Sequence, residues 1–193
     1  TVQLGTGWQR CVPPLRARGL LAPAPAASAI PQPPATPHPI HPEAQQQAAV
    51  AAITAALARF QVFLLEGVTG SGMTEVYLLA VRAALERLVL VPEIALTPQT
   101  VARFRAALAT PVVVLHSGLS DRERLDSWLL AQRGQAGVVI GTRSAVFAEL
   151  PRLGLVIVDE EHDASFKQDA AGMRYSARDA VLMRAKQVGI PVV

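Results

Sequence analysis

From residue 42 to its end, the chain alternates short apolar runs with longer amphipathic stretches. The runs are rich in valine, isoleucine and leucine, and the stretches between them carry apolar residues three or four positions apart. Continuous apolar runs are typical of strands covered on both faces, and the 3.6-residue period is typical of helices. The pattern therefore predicts an α/β fold: a mostly parallel sheet with helices on both faces.

The pattern also predicts where the elements lie. Strands are expected at residues 63–65, 88–91, 112–115, 138–140, 155–158 and 190–193. Helices are expected at about 42–60, from the glycine-rich loop to about 86, and at 98–108, 120–132 and 176–188. Ser120 and Glu123 form a capping-box pattern at the start of the fourth helix. Because the chain stops at a core strand, we expect it to be a fragment.

Residues 1–42 differ in composition from the rest. They contain ten of the fifteen prolines and no aspartate or glutamate. Residues 22–41 are therefore predicted to be an extended linker that leads into a globular unit at 42–193. Residues 1–21 are interpreted as the tail of a preceding folded module, with an arbitrary boundary as an equal alternative. His38 and His41 lack further metal ligands nearby, so no metal site is expected there.

Composition sets only broad limits. With 193 residues, 51% of them hydrophobic, the chain can form one sizeable domain. The charge balance, 18 basic against 15 acidic residues, is compatible with a nucleic-acid partner but does not require one. A single cysteine, Cys11, excludes an internal disulfide or a cysteine zinc cluster and suits the cytoplasm. No leader pattern and no apolar run near 18 residues is present, so neither secretion nor a membrane partner is expected.

A glycine-rich loop follows the first predicted strand. It matches the phosphate-binding pattern G-x-x-x-x-G-K-[ST] at every position except Met73, which occupies the lysine position. Glycines let backbone N–H groups wrap around phosphates, and the following helix directs its N-terminus at the same anion. Thr74 stands where a hydroxyl would bind Mg²⁺. The predicted nucleotide-binding residues are Gly67, Val68, Thr69, Gly70, Ser71, Gly72, Met73, Thr74 and Glu75.

An acidic pair completes the predicted site. The apolar run at 155–158 delivers Asp159 and Glu160 at its carboxyl end, where parallel sheets bind ligands. Asp159 would hold Mg²⁺ through water, and Glu160 would polarise the attacking water. An ordinary acidic turn is the alternative. Gln46, upstream of the loop, is a candidate for reading an adenine edge, although a solvated helix residue is the commoner role for such a glutamine.

Three further segments are candidates for nucleic-acid contacts. Segments 92–99 and 141–144 follow strand ends and carry small hydroxyl and basic groups, which bind phosphates. The loop at 165–178 interleaves aromatic and cationic residues, which suit stacking on single-stranded bases. Each taken alone is equally or better explained as a structural loop, one of them anchored by a buried aromatic. His116 and Ser117 are assigned structural or interface roles, because no orienting acid accompanies them. The candidate DNA-binding residues are Pro92, Glu93, Thr97, Gln99, Arg103, Gly141, Thr142, Arg143, Ser144, Phe166, Lys167, Arg174 and Tyr175.

With these motifs in place, the chain resembles the first motor lobe of superfamily 2 DNA helicases, and within them the primosomal replication-restart (PriA) family. The resemblance covers residues 42–193 and rests on GVTGSG-M-TEVYL, LVPEIALTPQTVARFR, VVLHSGLSDRERL, VIGTRSAVFAEL, LGLVIVDEEHDASFKQ and RYSARDAVLMRAK. It implies a RecA-like lobe that uses ATP and Mg²⁺ for 3′→5′ movement on single-stranded or forked DNA, with other primosome proteins as partners. It also implies that residues 1–21 end a winged-helix module.

The chain departs from that family at several points: the segment 85–90 is shorter, and Met173 and Ser176 stand where bulkier or basic residues are commoner. Two departures bear directly on function. Met73 replaces the family's lysine, which predicts impaired ATP hydrolysis, and the second lobe and the zinc-binding cysteines lie outside this sequence, so no zinc site is expected here. A non-catalytic DNA-binding scaffold is therefore the competing interpretation. A different phosphate-loop NTPase is a more distant one.

Overall fold

The computed structural model describes residues 13–14, 16–19, 40–68, 70–84, 86–169 and 173–193. Most of the predicted N-terminal module and linker, including Cys11 and His38, lies outside these residues. Thr69 of the glycine-rich loop lies outside them as well. Within the described part of the chain, no helix is long and apolar enough to span a membrane. No group of three or more histidine, cysteine, aspartate or glutamate side chains is arranged to hold a metal ion there.

A six-stranded parallel sheet forms the centre of the described structure, as the apolar runs predict. The strands are β1 (Gln61–Val62), β2 (Glu86–Leu90), β3 (Val112–Leu115), β4 (Val138–Gly141), β5 (Leu153–Val158) and β8 (Pro191–Val192). Their order across the sheet is β1-β8-β5-β2-β4-β3, and every pairing is parallel. A separate antiparallel hairpin consists of β6 (Lys167–Gln168) and β7 (Tyr175–Ser176).

Helices cover both faces of this sheet. They are α1 (Ala44–Ala55), α2 (Met73–Ala83), α3 (Pro98–Ala107), α4 (Asp121–Gln132) and α5 (Ala177–Val188). Three short 3₁₀ helices lie at Glu93–Ala95, Arg143–Phe147 and Ala164–Phe166. Helices α1, α2 and α3 pack on one face with Leu155 and Ile157, and α4 and α5 pack on the other with Val156 and Val158. This alternation along β5 is the two-residue period of a strand buried on both sides.

Local sequence signals account for several helix ends. Ser120 accepts a hydrogen bond from the backbone of Glu123, whose side chain returns to the Ser120 backbone, so the predicted capping box at α4 is confirmed. Helix α5 begins after Ser176, whose hydroxyl accepts from the Asp179 backbone, and ends at Gly189 with a φ of 76°. That left-handed conformation is the one for which a terminal glycine is favoured.

Three boundaries were predicted wrongly. The first strand lies at Gln61–Val62 rather than at 63–65, because the chain leaves the sheet after Phe63 donates to the Val192 carbonyl. Helix α1 ends at Ala55 rather than near residue 60, since Ala58 adopts a φ of 68°. Glu86 begins β2 rather than ending a helix, and its buried carboxylate accepts from the Arg152 backbone at 2.7 Å. The hairpin β6–β7 was not predicted.

Candidate functional site

The carboxyl ends of the parallel strands meet at one edge of the sheet, and the loops that follow them form two clefts. The first, of about 600 Å³, lies between the glycine-rich loop and the end of β5. The second, of about 590 Å³, lies beyond the ends of β2, β3 and β4. Ligand sites of open parallel sheets occupy this edge.

Backbone conformation and one close contact explain the glycines of the glycine-rich loop. Gly70 and Gly72 have φ values of 85° and 77°, which side chains rarely tolerate. A side chain on Gly67 would lie 2.4 Å from the Ser71 hydroxyl oxygen. Helix α2 begins directly after Gly72, and no side chain caps it. The Glu75 N–H donates to the Gly72 carbonyl at 3.0 Å, which leaves the N–H groups of Met73 and Thr74 at the start of α2 for an anion, as a phosphate cradle requires.

Met73 gives this cradle an apolar side wall. Its half-buried side chain packs against the core and lines the first cleft together with Phe63 and Leu65. Thr74 lies in the same first turn but is not among the residues that line the cleft. The backbone of the loop thus fits a nucleotide phosphate group, whereas the side-chain cation of the phosphate-binding pattern is missing.

Asp159 and Glu160 face the glycine-rich loop across the first cleft. Asp159 continues the β2–β5 ladder, since its N–H donates to the Leu90 carbonyl at 2.9 Å. Glu160 then turns the chain with a φ of 51°, an unusual conformation for a residue with a side chain. Burial raises the pKa of Asp159, and a hydrogen bond from the Tyr77 hydroxyl at 3.1 Å acts against that rise.

Gln46 contacts the glycine-rich loop directly. Its side-chain nitrogen donates to the Ser71 carbonyl at 3.0 Å, and its side-chain oxygen accepts from the Glu43 backbone at 2.9 Å. Glu75, also predicted at this site, pairs with Arg103 of α3. Arg103, a candidate DNA contact, therefore lies beside α2 and does not line the second cleft.

The second cleft brings the three candidate DNA-binding segments together. It is lined by Glu93 of the first segment, by Thr142, Arg143 and Ser144 of the second, and by Tyr175 of the third. The Tyr175 ring lies edge-on to Phe147, with centroids 5.0 Å apart. Segments far apart in sequence thus share one surface.

Other candidates at this edge have structural contacts. Phe166 is only 2% exposed and belongs to the core, as the buried-anchor alternative predicts. A side chain on Gly141 would lie 2.5 Å from the Leu115 carbonyl oxygen, so strand packing explains that glycine. Arg143 donates to the Ser165 and Lys167 carbonyls at 3.1 and 2.7 Å, which joins the end of β4 to the hairpin.

The remaining candidates are placed as follows. Pro92 is buried, and the Thr97 hydroxyl caps α3 by accepting from the Thr100 backbone. Gln99, Lys167 and Arg174 are exposed but do not line the second cleft.

Among the residues that line the second cleft but were not predicted as DNA contacts are three that follow β3 in the chain: His116, Ser117 and Arg124. Ser117 donates to the Glu93 carboxylate at 2.5 Å, and Arg124 donates to the Ser117 and Leu119 carbonyls. Their position at the end of β3 was the available signal, because β3 ends at the same edge as β2 and β4.

Comparisons with known proteins agree with this architecture. The DEAD/DEAH box helicase family matches residues 43–188, which include the whole second cleft and all of the first except Val192 and Val193. The chain belongs to the DEAD/DEAH box helicase family. This helicase lobe is 50% identical over 138 residues to replication restart protein PriA of Haemophilus influenzae, covering 69% of this chain and 19% of that protein. It is 46% identical over 166 residues to PriA of Chlamydia pneumoniae, covering 83% and 22%. The helicase lobe thus spans about a fifth of the length of these relatives.

Solved structures of other helicases have the same fold. RecG bound to a three-way DNA junction matches with a TM-score of 0.57 and 24% identity, over 80% of this chain and 21% of that chain. The UvsW helicase of bacteriophage T4 matches with a TM-score of 0.51 and 19% identity, over 82% and 54%. At these identities the likeness supports the fold alone, and that fold is the predicted RecA-like lobe.

Proposed function

We propose that this chain is the ATP-binding lobe of a PriA-type 3′→5′ DNA helicase that acts in primosome assembly and the restart of stalled replication forks, with ATP hydrolysis impaired by Met73. The observation that carries the proposal is the shared edge: the phosphate loop faces Asp159 and Glu160 in one cleft, and three separate segments form the second cleft beside it. Relatives named replication restart protein support the biological role. The lobe is taken to extend from residue 42 to 193, after a linker at 22–41, in a cytoplasmic protein.

In the first cleft, each residue would have a distinct role in binding or hydrolysing the nucleotide. The backbone from Gly67 to Thr74 and the N-terminus of α2 would hold the phosphates, and Gln46 would contact adenine. Thr74 and Asp159 would hold Mg²⁺, which supplies charge neutralisation at the phosphates when bound. Glu160, which lines this cleft directly after β5, would orient and polarise the attacking water.

In the second cleft, single-stranded or forked DNA would contact Thr142 and Ser144 through phosphates and Tyr175 through base stacking. Arg143 would act by holding the hairpin, because its guanidinium donates to two backbone carbonyls there. The ten-residue segment from Asp159 to Gln168 joins the nucleotide cleft to this hairpin, so the two clefts are also connected through the backbone.

A titration with a fluorescent ATP analogue and Mg²⁺ tests the proposal, comparing the chain with its Met73→Lys variant. Restoring one cation at the phosphates should tighten binding by about 2–4 kcal/mol, or roughly 30- to 800-fold. Met183→Lys, at a residue 62% exposed on α5, adds the same charge elsewhere and is the matched control. It should leave the nucleotide affinity unchanged.

Met73 itself favours a second candidate, a non-catalytic DNA-binding scaffold for primosome proteins. An apolar side chain in the cleft spares the second cleft while weakening the first. Binding of single-stranded DNA by both versions, without nucleotide binding by either, would support the scaffold and contradict the nucleotide site. Nucleotide binding that strengthens with lysine would support the motor lobe.

A further inference from the structure

Tyr77 links the phosphate-loop helix to the acidic strand end. It lies on α2 four residues after Met73, so both side chains face the first cleft. Its hydroxyl donates to the Asp159 carboxylate at 3.1 Å, across 82 positions of sequence. Neither the phosphate-binding pattern nor the acidic motif includes this tyrosine.

The ring and the hydroxyl of Tyr77 have separate environments. The residue is 8% exposed, and its ring packs in the core between α2 and the sheet. The hydroxyl reaches the polar wall of the cleft, where a buried hydroxyl requires a partner. Burial and the neighbouring Asp159 and Glu160 carboxylates raise the pKa of Tyr77, so its hydroxyl keeps its proton and donates.

One consequence concerns the orientation of the Asp159 carboxylate. The Tyr77 hydroxyl engages one carboxylate oxygen and the Glu160 backbone N–H also donates to this carboxylate, so the two contacts together restrict the rotation of the Asp159 side chain. A metal ligand that is held by a hydrogen-bonding neighbour binds without first losing its rotational freedom. The same contact ties this orientation to the position of α2, whose first turn forms the phosphate cradle.

We propose that Tyr77 is a positioning residue, which orients the Asp159 carboxylate toward Mg²⁺ when a nucleotide occupies the phosphate loop. This inference rests on the proposed function. In this role the Tyr77 hydroxyl acts on the metal only through Asp159. Its hydroxyl should therefore influence the part of nucleotide affinity that depends on Mg²⁺ and leave the metal-free part unchanged.

The test compares the affinity for a fluorescent ATP analogue in Mg²⁺ and in EDTA, in this chain and in parallel in the Met73→Lys variant. Tyr77→Phe keeps the ring and removes only the hydroxyl. We expect it to reduce the enhancement by Mg²⁺ about ten-fold, the usual effect of losing a partner that orients a metal ligand, and to leave the EDTA affinity unchanged. In an Asp159→Asn background, Tyr77→Phe should have no further effect.

Other outcomes overturn the proposal in distinguishable ways. An equal loss of affinity with and without Mg²⁺ would make Tyr77 a structural residue only. An unchanged enhancement in Tyr77→Phe would show that the hydroxyl does not act on Asp159, while the nucleotide site itself would stand. If neither this chain nor Met73→Lys binds nucleotide at all, the proposed function fails and the role of Tyr77 fails with it.

Discussion

Gln46 offers a test that separates two roles in one side chain. Its amide nitrogen holds the Ser71 carbonyl, and its oxygen holds the Glu43 backbone N–H. A glutamine amide has two N–H donors and two lone pairs, so one of each is left for a ligand. Gln46 can thus clamp the glycine-rich loop and still offer a donor and an acceptor to an adenine edge.

The two roles predict losses of nucleotide affinity that differ in magnitude and in which nucleotides they affect. Gln46→Ala removes the bond to Ser71, and a hydrogen bond of this kind contributes about 0.5–1.5 kcal/mol net. Every nucleotide should therefore bind about 2- to 12-fold more weakly. Loss of a two-bond contact to adenine adds about 1–3 kcal/mol, by analogy with base-edge contacts, and affects ATP alone. We expect the affinity for ATP to fall further than the affinity for GTP.

The assay is competition of ATP and GTP against a fluorescent analogue, in the Met73→Lys background. Gln47→Ala is the matched control, since Gln47 lies on the same helix and its side chain donates to the Pro42 carbonyl instead of the loop. Unchanged GTP affinity in Gln46→Ala would refute the clamp. An equal fall for both nucleotides would refute adenine reading and leave the clamp.

Two predictions concern stability. Glu86→Ala should lower the free energy of unfolding in urea by about 3 kcal/mol. The Glu86 carboxylate is only 1% exposed, accepts a hydrogen bond from Arg152 and interacts electrostatically with the buried Arg87. The control Glu149→Ala, at an exposed residue, should lower the free energy of unfolding by less than about 1 kcal/mol. Asp159→Asn should raise the free energy of unfolding at pH 7. Because folding raises the pKa of Asp159, the ionised carboxylate destabilises the fold, and stability falls as the pH rises through that pKa. Below the ordinary pKa of aspartate the carboxyl is neutral in both states, so the stability gained by Asp159→Asn should vanish there. A gain that persists at pH 3 would contradict this reasoning.

The sequence predicted the sheet well because burial on both faces leaves a local signal. Residues 112–115 and 155–158 are continuous apolar runs, and their strands lie within the predicted bounds or extend them. The run at 63–65 misled for a physical reason. The edge strand β1 has only one neighbouring strand, and the chain leaves the sheet directly after it to form the glycine-rich loop. Leu64 is therefore 70% exposed although its side chain is apolar.

The candidate site was predictable in its motifs but not in its contacts. The glycine loop and the acidic pair follow from short patterns, and the structure brings them into one cleft. The hydrogen bond from Tyr77 to Asp159 joins residues 82 positions apart, and the apolar period of α2 treats Tyr77 as a core residue only. The guanidinium of Arg143 looked like a phosphate contact because no local pattern reveals its two backbone acceptors.

Met73 separates two functions that a phosphate loop usually combines. The backbone cradle depends on Gly67, Gly70 and Gly72 and on the uncapped start of α2, and all of these features are present without the lysine. The electrostatic contribution at the phosphates depends on a side-chain cation, which Met73 cannot supply. Because the cradle acts on the bound nucleotide and the cation acts most strongly on the charge that develops during transfer, binding should survive in this chain better than hydrolysis does.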